Sequence, residues 1–258
     1  MDYFEKIEKK PSTDLDWNIP EQKQGIINII GGNSQSFRNE VKIAEFLTNM
    51  YPIKTVNVIL PEALRSKLPM MPNFVFLPAT ESGSFAESQG FLDIFNNSDY
   101  NLMLGDFSKN AITGRAVASA CQHSEKMTLI TRDAVDLLAD NKPERTLMNE
   151  NLVFFASVAQ LQKLLRAVYY PKMLMISQSL VQVADVLHKF TLSYPISIIT
   201  LHNGQILIAQ NGLVKAVPLE QTNHTPITIW LGESAAKITA LNLYNPQNFL
   251  SATIAAIM

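Results

Sequence analysis

A glycine pair closing a strand and a carboxylate opening a helix are the two patterns in this chain with chemical potential. Gly31-Gly32-Asn33-Ser34 follows the apolar, β-branched run Ile26-Ile27-Asn28-Ile29-Ile30. That is the place where ligands settle in open α/β sheets, outside a strand's carboxyl end. The same four residues also suit an ordinary strand-to-helix turn, with Ser34 or Ser36 as helix N-cap. Leu231-Gly232-Glu233-Ser234 starts a second helical segment near the C-terminus. A helix start offers unpaired N–H groups and a partial positive charge, which suits a phosphate. Glu233 is equally at home there as a first-turn acid. Lys237 stands at i,i+4 from Glu233, the spacing of a solvated ion pair. Asp133 reads as another first-turn acid. Asp106 follows Gly105 and, as an acid repels phosphate, reads as a surface or capping residue.

Other chemistries lack their residues. There is no GxxxxGK[ST] phosphate loop, HExxH, CxxC or GxSxG, and the residues after the first strand do not form GxGxxG. His123, His188, His202 and His224 have no metal-ligand spacing and read as surface or turn residues. Glycine numbers only 10, few for an enzyme that cradles phosphates on backbone amides. The net charge of −2, with no block of like charge, argues against nucleic-acid and membrane-surface partners. A single cysteine, Cys121, precludes an internal disulfide and fits a reducing compartment. No apolar run approaches the ~20 residues of a membrane span, and the charged N-terminus is not a secretory signal. A soluble, cytoplasmic protein is expected.

Short apolar runs alternate with amphipathic stretches. Strands are predicted at 26–30, 55–60, 74–77, 101–104, 127–130 and 152–155, and helices around 41–47 and over 85–95, 112–121, 133–138 and 158–168. That order calls for right-handed crossovers and a parallel sheet covered on both faces. Three further strands, 196–201, 205–210 and 213–217, are joined by His202-Asn203-Gly204 and Asn211-Gly212, both hairpin chemistry. Two helices, 232–243 and 247–257, close the chain. Residues 1–24 read as a polar lead-in carrying Trp17, and 25–258 as one α/β domain.

Several of these pieces, in this order, resemble the ADP- or ATP-dependent NAD(P)H-hydrate dehydratases. Lys23-Gln24-Gly25, the strand and Gly31-Gly32-Asn33-Ser34 with Phe37 match that family's opening. Thr55 to Leu60 leads into Pro61-Glu62 as the family's next strand does. Met103-Leu104-Gly105-Asp106-Phe107-Ser108 stands where the family has Gly-Pro-Gly-Leu-Gly and keeps only the first glycine. Thr131-Arg132-Asp133-Ala134-Val135 corresponds to its Asp-Ala-Asp-Ala-Leu turn. Phe155 to Gln160 replaces Thr-Pro-His-Pro-Gly-Glu and retains none of its polar members; Val158 to Leu165 reads as plain core. Trp230-Leu231-Gly232-Glu233 replaces Gly-Thr-Gly-Asp.

The resemblance implies a ribokinase-like three-layer sandwich, with a mostly parallel sheet flanked by helices and antiparallel hairpin strands near the C-terminus. It further implies ATP or ADP with Mg2+ as cofactors, hydrated NADH or NADPH (NAD(P)HX) as substrate, and a homo-oligomer. Glu233 would be the catalytic base, and Leu231, Gly232 and Ser234 the anion hole. Gly31, Gly32, Asn33, Ser34, Gly105 and Asp133 would bind substrate. A glutamate for the family's aspartate moves the carboxylate by ~1 Å, enough to cost about 100-fold in rate, and Trp230 puts an indole where backbone should approach phosphate. The expectation is a dehydratase-like protein, weakened or inactive. The alternatives are a non-catalytic nucleotide- or partner-binding relative, or a small-molecule kinase.

Overall fold

Four polar residues lie side by side across the middle of the sheet. Asn57, Asn28, Asn101 and Thr128 occupy matching positions on four adjacent strands. Asn57 Nδ2 donates to Asn28 Oδ1 at 3.0 Å. Asn28 and Asn101 donate in turn to the carbonyls of Ile94 and Phe95, at the end of a helix on that face. A one-residue slip would turn every Asn toward the wrong face and strand those carbonyls, so the row pins the register.

The computed structural model describes residues 2–7, 19–69, 71–219, 229 and 231–258. Ten strands form one sheet: β1 (Phe4–Lys6), β2 (Gln24–Gly31), β3 (Ile53–Pro61), β4 (Phe74–Leu77), β5 (Tyr100–Gly105), β6 (Met127–Thr131), β7 (Leu152–Phe155), β8 (Ser197–His202), β9 (Gln205–Gln210) and β10 (Leu213–Pro218). Their spatial order is β1-β10-β9-β8-β7-β6-β5-β2-β3-β4, parallel except at β8–β9 and β9–β10. Both hairpin turns carry positive φ where the sequence places Asn-Gly: Asn203 and Gly204, Asn211 and Gly212.

Alternate strand residues serve two cores. Ile27, Ile29, Leu102 and Leu104 face a layer made by α1 (Arg38–Met50), α7 (Glu233–Tyr244) and α8 (Phe249–Ile257). Ile30, Met103, Ile130 and Phe154 face α2 (Gln89–Asn96), α3 (Ala111–His123), α4 (Asp133–Ala139), α5 (Val158–Ala167) and α6 (Leu180–Ser193). The result is the three-layer, mostly parallel α/β sandwich with an antiparallel C-terminal hairpin unit.

Three local features differ from expectation. Phe85 does not begin a helix: it bridges to Ala79 as a single β-pair, and α2 starts at Gln89. α6 was not foreseen, although its capping box, Ser179 with Gln182, is present in the sequence. Phe4–Lys6, inside the segment read as a lead-in, forms the edge strand on β10. Trp17 lies outside the described residues. Among the described residues no helix is long and apolar enough to cross a membrane.

Candidate functional site

The chain runs from β2 outward through β3 to β4, then returns to place β5 on the other side of β2. Between β2 and β5 the strand order therefore reverses, and a crevice opens at their carboxyl ends. Gly31 and Gly105 meet there, paired across a register irregularity after Ile30. The N–H of Gly32 donates to the Gly105 carbonyl at 2.8 Å. A side chain at Gly31 would collide with that carbonyl and with the Glu40 carboxyl; one at Gly105 (φ +112°) would collide with Asp133. The Gly105 backbone explains Gly31, while the Asp133 carboxylate and a positive φ explain Gly105.

The loops above this contact are tied to one another. Asn33 Oδ1 accepts from the N–H groups of Gln35 and Ser36, while its Nδ2 donates to the Asp106 carbonyl at 2.6 Å. Ser34 is held through its backbone, N–H to Gly83 and carbonyl to Lys67 Nζ. Neither Ser34 nor Ser36 caps α1; the N-cap is Phe37, which makes no side-chain capping bond. The reason is that Asn33 already closes this turn with its own side chain.

Asp133 is in the first turn of α4, and its carboxylate faces the β5 loop. It accepts from the N–H groups of Asp106 (2.8 Å) and Phe107 (3.1 Å). Burial pushes its carboxyl above the usual carboxylate range, with the Asp106 N–H pulling the other way. Asp106 is not the surface acid expected: held at φ +56°, it takes a two-pronged ion pair from Arg132, at 2.9 and 3.3 Å. The loop that keeps one glycine of three is thus fastened by two carboxylates and a guanidinium.

Beside them lies Glu40, on the first turn of α1 and 0 % exposed. Among the described residues neither of its carboxylate oxygens has a hydrogen-bond partner. Burial first, then the charge of Asp106, pushes its pKa up to about 8. In sequence Glu40 is one more helix acid; only the fold brings it against Gly31 of β2 and beside Asp106, Asp133 and Arg132.

At the start of α7, Gly232 is left-handed (φ +91°) and packs against Leu104. Its N–H is already engaged by the Ile229 carbonyl at 3.1 Å. The Leu231 carbonyl accepts from Asn39 Nδ2 at 2.9 Å, joining α7 to α1. Ser234 is buried and Glu233 half-buried. No ion pair joins Glu233 to Lys237 among the described residues, correcting the solvated pair expected from their spacing. Trp230 lies outside the described residues, as does His224. His202, read as a surface or turn residue, ends β8 at the hairpin turn, where it is buried and bonds through Nε2 to the Gln178 carbonyl; His188 stacks on Tyr3.

Two cavities share Arg132 as a wall. One, of about 410 Å3, is largely apolar: Phe155, Ala156, Leu201 and Ile229 line it together with Ser157 and Gln160. Gln160 Nε2 donates to the Arg132 carbonyl and to Asp136. The α5 start is therefore not plain core: Val158, Leu161 and Leu165 face inward, while the Ser157–Gln160 capping box faces the cavity. The other cavity, of about 470 Å3, lies over α1 and is lined by Arg38, Asn39, Lys42, Asp106, Arg132 and Leu231 among others. Among the described residues no group of three His, Cys, Asp or Glu side chains is arranged to hold a metal ion. Mg2+ at this site would depend on phosphate oxygens and water for its ligands, as it commonly does with nucleotides.

A doubly covered sheet, a hairpin unit at one edge and a crevice at the β2–β5 reversal define a ribokinase-like fold. Solved structures bear this out. A ribokinase-like superfamily protein from Enterococcus faecalis superposes with a TM-score of 0.67 at 15% identity, covering 100% of this chain and 85% of that one. The ADP/ATP-dependent NAD(P)H-hydrate dehydratase of Bacillus subtilis, co-crystallised with ATP and Mg2+, gives 0.59 at 9% identity, covering 94% and 83%. The pyridoxal kinase of Bacillus subtilis, solved as an ADP complex, gives 0.53 at 12% identity, covering 92% and 89%. At these identities the likeness is one of fold. No family model matches the sequence, and no curated protein matches it significantly.

Proposed function

We propose that this protein is a nucleotide-binding relative of the NAD(P)H-hydrate dehydratases in which turnover is weakened or lost. The observation that carries this reading is the fastened β5 loop beside an open apolar cavity. Asp133 takes the N–H groups of Asp106 and Phe107, and the Arg132–Asp106 pair sets a second carboxylate beside them, in the loop to which the resemblance assigns substrate binding. Phosphoryl transfer depends on positioning and electrostatic stabilisation, so a closed loop removes rate before it removes binding. The 410 Å3 cavity, largely apolar with Arg132, Asp133 and Asp136 among its walls, lies within the range for small-ligand sites and suits a nucleoside. ATP or ADP, with Mg2+ carried on the phosphates, is the ligand class proposed, in a homo-oligomer as the resemblance implies.

Thermal-shift titration with adenosine, AMP, ADP and ATP tests the binding half. Stabilisation should grow as RT ln(1 + [L]/Kd), and no shift at millimolar ligand would overturn the reading. Hydrated NADH with ATP and Mg2+ tests the other half, and little or no recovery of NADH is expected. A second reading, an active dehydratase or small-molecule kinase, is favoured by Glu233, a half-buried acid on the first turn of α7 with no ion-pair partner among the described residues. Brisk turnover that Glu233→Gln abolishes would establish that reading instead.

A further inference from the structure

We propose that the cavity over the start of α1 is an anion site for a phosphate-bearing small molecule. Arg38 and Lys42 stand one turn apart on α1 and both line it. Among the described residues neither has an ion-pair or hydrogen-bond partner. Arg132 is the third cation on the wall, and it already neutralises the one carboxylate there, Asp106. Three cations against one carboxylate leave an uncompensated positive field in a concave space, which concentrates anions. The volume, about 470 Å3, exceeds a lone inorganic anion's needs and matches that of a small-ligand pocket.

The chemistry favours phosphate over a single carboxylate. Arg38 offers a planar fork and Lys42 a point charge, a pairing suited to a doubly charged tetrahedral group. Asn39 is already committed to the Leu231 carbonyl, so it fixes the α7 start as the far wall instead of meeting the ligand. The neighbouring cavities differ in charge. The small one at the start of α3, about 220 Å3, is lined by Asp133, Asp136 and Asp140 with Lys109, and Lys163 pairs with Asp136 and Asp140, so no surplus of positive charge faces it. The cavity shares Arg132 and Asp106 with the loop on which the nucleotide reading rests, but Arg38 and Lys42, which carry this inference, do not line the apolar cavity.

Calorimetric titration with inorganic pyrophosphate, at ionic strength held constant with NaCl, is the test. The full chain should bind it, with affinity falling as salt is raised. The double variant Arg38→Gln/Lys42→Gln should bind at least about tenfold more weakly, while its unliganded melting temperature and its response to adenosine stay where they were. Both side chains are exposed, so the variant is expected to fold. Failure of pyrophosphate to bind the wild type, or equal binding by the double variant, overturns the anion site. Loss of adenosine binding alone would speak only against the nucleotide reading.

Discussion

Glu40 is the residue on which the electrostatics of this crevice turn. Its carboxyl lies against Gly31, has no hydrogen-bond partner among the described residues and faces the charges of Asp106, Asp133 and Arg132. An isolated buried carboxylate is expensive, so the group holds its proton well above the pH at which a solvated glutamate loses it. The folded-state pKa of about 8 exceeds the ordinary 4.5, so the folded protein binds the proton more tightly than the unfolded chain. Stability therefore falls as pH rises from about 4.5 through about 8. A separation of that size corresponds to a loss on the order of 5 kcal/mol once both states are ionised. Melting temperatures measured across this range should decline for the wild type. Glu40→Gln, neutral at every pH and nearly the same size, should flatten the profile and melt higher at the alkaline end. An unchanged slope in the variant would show that another group governs it.

At the scale of elements, four helix starts are held by three unlike means. α5 and α6 begin with reciprocal capping boxes, Ser157 with Gln160 and Ser179 with Gln182, which sequence alone displays. α1 begins at Phe37 without a side-chain cap, its turn closed by Asn33. α7 begins at left-handed Gly232, whose Cα lies against Leu104 of β5 with no room for a methyl group. Gly232→Ala should cost about 2 kcal/mol, from the positive φ and the displaced leucine together. It should also loosen the Asn39–Leu231 link between α7 and α1. Thermal unfolding would register the loss as a fall of several degrees; a fall of less than about one degree would mean that the turn tolerates a side chain.

Over the whole molecule, one sheet joins the N-terminal residues to the C-terminal hairpins. β1 covers the outer edge of β10, and its neighbour Tyr3 stacks on His188 with ring centroids 3.9 Å apart. Tyr3 also donates to Asp185, a carboxyl held near 2 by the ammonium groups of Lys172 and Lys189. Removing residues 1–7 would bare a long strand edge, the usual template for unwanted pairing. Size-exclusion chromatography with light scattering should then find larger species than the full chain forms; an identical profile would show that β10 is protected by other means.

The alternating sheet, its hairpins and its two cores were legible in the sequence because they rest on local signals. β-branched runs fill strands buried on both faces, and Asn-Gly pairs supply positive φ at each hairpin. The glycines at 31, 32, 105 and 232 were legible as special, though not for the reason found. Helix α6 was missed because its valines blur the helical period, even though Ser179 and Gln182 announce its start. What only the tertiary structure decided is the character of the site. Asp133 became a clamp for the β5 loop, Asp106 the partner of Arg132, and Glu40 a buried acid. Each change follows from packing residues remote in sequence against one another at the β2–β5 reversal. Local sequence dictates which backbone a segment adopts. Burial and charge pairing, which set what a carboxylate can do, arise only when distant segments meet.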